Sequence, residues 1–295
     1  MARGARPPRA RVRGHQNARA IGARIEALID SGRAGIFHTS SEMQPRNKDY
    51  SAEVFRTMYR ECRERRRLCY AEGRTLAANA YSQFPLTAPP SPEQWFYWRV
   101  LSDLHLGISR LAINRIDLLR ADADGFDTAR TFASTYLGAH LRPAESPGAW
   151  VAFRQGDYGQ GDYTLLARAR GCGQRVFNVG PTQHPYGLWA TRLGPNDACR
   201  VDLDPTLAGA LADEPLTLEV IVMRHGDATA PAMLMARVGD RRAQAVALDA
   251  RLGWQTLKIS IDGIGNDNAS ITLDAKDGSV LLHRVEVRRA ALKAP

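Results

Sequence analysis

No run of roughly 18 or more apolar residues occurs in this 295-residue chain, so no segment is built to cross a bilayer as a helix. The N-terminus is basic but lacks the apolar stretch of a secretory signal, which leaves a cytoplasmic location as the default expectation. Cysteine is scarce. Its four positions, Cys62, Cys69, Cys172 and Cys199, lack the CxxC spacing of a metal site. A chain this long can bury a core without covalent staples, so the thiols are read as reduced, with a Cys172 to Cys199 bridge as the alternative. HExxH, a phosphate-binding glycine loop and a credible Ser-His-Asp order are missing as well. The acids of "GDYGQGDY" and "GIGNDNAS" do not have calcium-loop spacing and are read as turns, so neither a metal nor a cofactor is expected.

Acidic residues are also unevenly spread. Residues 1–75 hold 17 Lys+Arg and 8 Asp+Glu, so the whole net charge of +9 sits there and the remaining 23 charges of each sign cancel. The first 24 residues carry seven arginines and no acid. Such a segment reads either as a leader outside the fold, over 1–17, or as a flexible tail holding polyanions. No aromatic side chains are interleaved with those arginines to stack on bases, and no specific nucleic-acid partner is expected.

What is present is a change of period. Up to about residue 142, helix and strand patterns alternate: an amphipathic stretch from Ala18 to Ile29, the strand "GIFHTS", a helix in "DYSAEVFRTMYRECRERRR" and the strand-like "LCYAEG" and "TLAANAYSQF". A Pro-rich loop, the aromatic helix "PEQWFYWRVLSDLHLG", the strand "ISRLAINRI" and the helix "DGFDTARTFASTYLGAHL" follow. That order implies βαβ units and a parallel sheet over 18–142. After the linker "RPAESPG", short runs recur about every ten residues, with Gly, Asp, Asn and Pro between them and no helical pattern. They predict an antiparallel β-sandwich or jelly roll over 149–290. The fold class is therefore α/β plus all-β.

A closed (β/α)8 barrel needs eight strand and helix pairs in about 250 residues, and only about 120 precede the linker here. The α/β part is either a small open sheet or the last three or so units of a barrel. "YAEG" followed by "NAYSQFPLTAPPSPEQWFYWRVLSDLHLGISRLAI" resembles the end of barrel-type glycoside hydrolases, and "PGAWVAFRQGDY" to "GSVLLHRVEVRR" resembles the β-sandwich that follows such barrels. The resemblance implies a glycoside hydrolase-like protein that acts on or binds carbohydrate, in an N-terminally incomplete form with little catalysis of its own. A noncatalytic glycan-binding or interaction module is the alternative.

Glycoside hydrolysis usually needs two carboxylates, and barrels place them at the C-terminal ends of strands. The resemblance makes Glu72 the nucleophile, with an acid/base partner on an earlier strand; Glu42 is the local substitute. Both glutamates can equally be read as loop carboxylates, paired or solvated. Asn79, Tyr81 and Gln83 alternate along one face of their stretch at the same end and form a candidate substrate-facing set, against a plain role in turns. In the aromatic helix, Phe96, Tyr97, Val100, Leu101 and Leu104 share one apolar stripe, which leaves Trp95 and Trp98 opposite. The two indoles are read as interdomain packing or as a sugar platform. His105 is read as a packing histidine.

Overall fold

The computed structural model describes residues 36–39, 59–74, 92–114, 124–154, 161–177, 186–187, 189–226, 232–239, 244–249, 253–265 and 269–290. Its N-terminal part is a parallel sheet in the order β1 (Ile36–Thr39), β2 (Cys69–Arg74) and β3 (Arg110–Asn114). Parallel neighbours require a crossover. Between β2 and β3 it contains helix α1 (Pro92–His105), which starts on a proline whose missing N–H costs nothing in the first turn. α1 stops in a Schellman arrangement, with Gly107 N–H bonding Leu104 O and Ile108 N–H bonding Asp103 O. Gly107 has φ of 79°, and a Cβ there would lie 2.9 Å from the backbone of Arg63. Glycine thus permits both the left-handed stop and the close approach of the segment before β2. Its described residues include a π-helical turn, Tyr59–Glu64, within the stretch 49–67 where the sequence predicts an α-helix, of which 49–58 lie outside the described residues; α2 (Asp124–Tyr136) follows β3. The helical stretch expected from residue 18 and the strand-like run over 75–84 lie outside the described residues. Among the described residues the three strands form an open sheet.

The remainder is mostly antiparallel β-sheet in two layers. A seven-stranded sheet runs β13 (Gln255–Asp262), β10 (Pro215–His225), β15 (Ser279–Arg289), β4 (Gly148–Ala152) and β5 (Tyr163–Leu165), with β8 (Trp189–Leu193) on β15 and β7 (Gln174–Phe177) on β8. A five-stranded sheet runs β12 (Gln244–Ala247), β11 (Met233–Val238), β14 (Ser270–Lys276), β9 (Ala198–Leu203) and β6 (Ala167–Arg170). The run "DYTLLARAR", expected as one strand, changes sheet at Leu166, whose φ of 51° turns the chain from β5 into β6. β7 was not among the expected strands. Nor was the short helix α3 (Pro205–Ala210), although its start has a clear signature: Asp204 caps the N–H groups of Thr206 and Leu207, and Pro205 occupies the first helical position.

The strict alternation of a two-layer sandwich fails in the middle of the larger sheet. β4 is buried at every position and β15 at eight in succession. Their second face is covered by α1 and α2, so both faces are dry. A bulge in the pairing of β10 with β15 leaves His283 without a register partner, and both His283 and Arg284 reach side chains of α1 and α2. The Tyr97 hydroxyl bonds His283 Nε2 at 2.8 Å, and Arg284 donates to Tyr97 at 3.1 Å and to Glu219 at 3.2 Å. Tyr136 donates to Glu286 at 2.7 Å, and the Arg284 guanidinium lies 4.2 Å from the centre of the Phe132 ring. Burial raises the Tyr97 hydroxyl pKa, the nearby Arg284 opposing the rise only in part. Burial works against the charge on Arg284, but Tyr97, Glu286, Tyr186 and Glu219 outweigh it, so its pKa is raised and the guanidinium stays charged. The buried apolar side chains of both parts form one continuous cluster from Cys62 to Val287.

The reading of the cysteines as reduced thiols is overturned. Cys62 is bonded to Cys69 and Cys172 to Cys199, and no described cysteine is free. The size argument asks whether a fold needs a bridge and says nothing of which cysteines the fold brings together; the Cys172 to Cys199 bridge is the alternative named from the sequence. The π turn ends just before β2 begins, which sets the Cα atoms of Cys62 and Cys69 5.8 Å apart, inside the disulfide range.

Candidate functional site

A cleft of about 810 Å³ opens between the π turn and the five-stranded sheet. Tyr59, Arg63 and Arg66 form one wall, β6 with β9 the other, and His140, from the 3-10 turn Ala139–Leu141, lines it from the segment after α2. π-helical turns recur at functional sites because the widened turn re-aims side chains.

Arg63 fixes this wall to the rest of the molecule. Its Nη1 donates to His105 O at 3.0 Å and to Thr164 O at 2.7 Å, tying the end of α1 and strand β5 to the π turn. His105 accepts the Thr164 N–H on Nδ1 at 3.1 Å and its ring lies 5.2 Å from that of Tyr59. It is a packing histidine. Burial, and then the positive charge of Arg63, hold its pKa down to about 3, so the ring is neutral. The loop closed by the Cys62 to Cys69 bridge is organised by a second buried group, Glu61. Its carboxylate takes Arg60 at 2.7 Å, Arg65 at 3.1 Å and Arg67 at 3.4 Å. Arg66 is left out of that cluster, held at φ of 52°, and lines the cleft.

The opposite wall is set by strand register. Arg170 of β6 is paired with Arg200 of β9, and Asp202 bridges the two guanidinium groups at 2.6 and 2.5 Å. Arg168 stands opposite Asp202, exposed and without an ion pair among the described residues. Asp204 also faces the cleft, but its carboxylate is engaged in capping α3. His140 is 3% exposed. It makes a backbone hydrogen bond with Cys62, while its buried Nε2 has no partner among the described residues. Burial first, and Arg63 second, lower its pKa to about 4, so Nε2 offers a lone pair and not a charge. The cleft therefore combines a flat aromatic ring, five arginines, a neutral histidine and three carboxylates, of which Asp202 is paired with arginines, Asp204 caps α3 and Glu64 is exposed.

The residues expected from the sequence are placed differently. Glu72 sits on β2, the middle strand of the parallel sheet, with its backbone opposite Thr39 and Ala112; its side chain lies outside the described residues. Glu42, Asn79, Tyr81 and Gln83 lie outside them entirely, as does the side chain of Trp95. Trp98 is 1% exposed and packs edge-on against Trp189 at 4.8 Å and His283 at 5.1 Å, so it presents no face to a ligand. Of the two roles weighed for it, packing is the one it fills. None of the cleft residues was singled out beforehand. The signal that could have found them is the doublet "ARAR" and "CRVD", whose arginines fall on outward positions of two strands, but their pairing was invisible until the sheet was formed. Among the described residues no group of three His, Cys, Asp or Glu could hold a metal ion, and no helix is long and apolar enough to cross a membrane.

No protein-family model matches the sequence, and no curated protein does. Solved structures are matched in part. The paired CBM22 and GH10 modules of a Clostridium thermocellum endo-1,4-beta-D-xylanase, complexed with xylohexaose, are 12% identical over 44% of this chain, with a TM-score of 0.30. A CBM22 xylan-binding domain is 11% identical over 51% of this chain and 99% of its own length, with a TM-score of 0.33. A GH115 4-O-methyl-alpha-glucuronidase specific for decorated arabinogalactans is 11% identical over 84% of this chain, with a TM-score of 0.31. The chain spans 27% of the first of these and 34% of the last.

Proposed function

We propose that this protein binds carbohydrate in the cleft between the π turn and the five-stranded sheet. The observation that carries the reading is His140, a neutral ring in the lining of the cleft whose buried Nε2 has no partner among the described residues, beside five arginines and three carboxylates. A sugar presents hydroxyls that donate to such a nitrogen and accept from guanidinium groups, while its apolar C–H face lies on a ring such as Tyr59. The full chain should bind oligosaccharides, read by calorimetry with a panel that begins with neutral xylohexaose and includes charged sugars. His140→Phe, which keeps the ring volume and removes the acceptor, should weaken binding about tenfold, the effect of about one hydrogen bond. Failure of every saccharide to bind would remove the reading.

The glycoside hydrolase-like reading adds a catalytic role for Glu72. Its support is position: Glu72 is the fourth of six residues of the central strand, near the end where barrel enzymes place their carboxylates. Glu72→Gln should abolish any hydrolysis while leaving binding in the cleft unchanged, because the cleft is lined by other elements. Hydrolysis at an undiminished rate in that variant would remove Glu72 from the chemistry.

A further inference from the structure

We propose that the saccharide bound by this cleft is anionic, carrying ring carboxylates or sulfate esters, and that it leaves the cleft along a row of arginines on the outer face of the five-stranded sheet. This inference rests on the carbohydrate reading above. Its first support is register. Arg170 is opposite Arg200, Arg200 is opposite Thr272, and Thr272 is opposite Arg237, so these four side chains share one face on adjacent strands. Arg170, Arg200 and Arg237 are exposed. At about 4.8 Å between strands the row spans about 14 Å.

The second support is charge without local use. Asp202 serves both Arg170 and Arg200, and Arg66, Arg168 and Arg237 form no ion pair among the described residues. A neutral sugar needs hydrogen-bond donors but no surplus of positive charge. A guanidinium fork matches a carboxylate or sulfate in two parallel bonds, and several forks on one face raise the local concentration of an anionic chain.

The third support separates a charged sugar from other polyanions. An acceptor such as His140 Nε2 pairs with a donor from the ligand; base edges carry such donors, whereas phosphodiester groups and inorganic sulfate do not. Saccharide hydroxyls do. Tyr59 is the one Phe, Tyr or Trp among the described residues lining the cleft, so successive stacked bases would lack a second platform there.

The test uses the full chain and four probes of similar length: xylohexaose, an oligogalacturonide, a sulfated galactan oligosaccharide and single-stranded DNA. Binding is measured by calorimetry at low and moderate salt, for the natural protein, for Arg168→Gln with Arg66→Gln, and for His140→Phe. Exposed arginines can be replaced without loss of the fold, which circular dichroism would verify. At least one anionic sugar should bind about tenfold or more tightly than xylohexaose, and the double variant should lose that margin, its affinity falling further for the anionic sugar than for xylohexaose. The uronate and sulfate arms identify which anion is read. His140→Phe should weaken the sugars and leave DNA unaffected. Equal affinity for neutral and anionic sugars, unchanged in the double variant, would overturn the inference and leave the carbohydrate reading standing. DNA binding as tightly as the anionic sugars would overturn it too, and binding of no saccharide would end both.

Discussion

The hydroxyl of Tyr97 and Nε2 of His283 lie 2.8 Å apart across 186 residues of sequence, and this bond joins α1 to the centre of the larger sheet. His283 Nδ1 lies 3.1 Å from the Trp189 carbonyl, so Nδ1 carries the proton and Nε2 accepts from Tyr97. The same hydroxyl accepts from Arg284 at 3.1 Å. One atom therefore satisfies a buried acceptor and a buried cation together.

Tyr97→Phe should remove both bonds and leave the ring volume in place. The expected loss is about 1–3 kcal/mol, since two buried polar groups lose a partner where water does not replace it. Chemical denaturation should show a lower midpoint with an unchanged slope.

Arg284→Met should be worse than Tyr97→Phe. The guanidinium stands 3.1 Å from Glu286 and 3.2 Å from Glu219; its removal leaves Glu286 under the helices with the Tyr136 hydroxyl but no cation, while Glu219 keeps Arg288 at 3.6 Å. Breaking one partner of a buried ion pair costs about 3–5 kcal/mol. Combining Arg284→Met with Glu286→Gln should recover part of the loss, read as a rise in melting temperature over the single variant.

Cys62→Ser with Cys69→Ser opens the loop that presents Arg66. A bridge closing a loop this short stabilises by about 2–3 kcal/mol on the chain-entropy account, so the melting temperature should fall. Affinity for an anionic oligosaccharide should fall with it, because Arg66 is then no longer held at the cleft. Xylohexaose affinity should be less affected.

Stability should decline on acidification through a defined window. His105 and His140 are held to about 3 and about 4, mainly by burial and then by Arg63, against an unfolded value of 6.5. Arg154 adds to the effect on His105 and Arg66 to that on His140. Between pH 6.5 and about 4 the unfolded chain binds more protons than the folded one, so lowering the pH favours unfolding. The slope approaches about 1.4 kcal/mol per pH unit for each histidine. Melting temperatures from pH 7 to 4 should follow this trend, and His140→Gln should flatten it.

Much of the architecture was legible. In β13 the outward and inward positions alternate along nearly the whole strand, and turn residues separate it from its neighbours, so local pattern and tertiary role agree. β15 is the counterexample. Arg284 and Glu286 alternate onto one face of the strand, yet both are buried because α1 and α2 cover that face, and the bulge brings the neighbouring His283 to the same helices. The helix α1 misleads in the same way: Arg99 and Asp103 look like solvent-facing charges, but they form a buried pair at 2.8 Å. A polar residue in a periodic pattern announces its direction but not what covers it.

The sequence alone determined the periods of α1, α2 and most strands after residue 148, and that the first part is parallel and the second antiparallel. These follow from local spacing of apolar residues and from turn chemistry. Only the tertiary structure decided which polar groups became dry, which cysteines met, and that arginines from β6, β9 and β11 would stand in one row. Those outcomes depend on register and on layers laid over one another, and both are set by contacts between residues far apart in the chain.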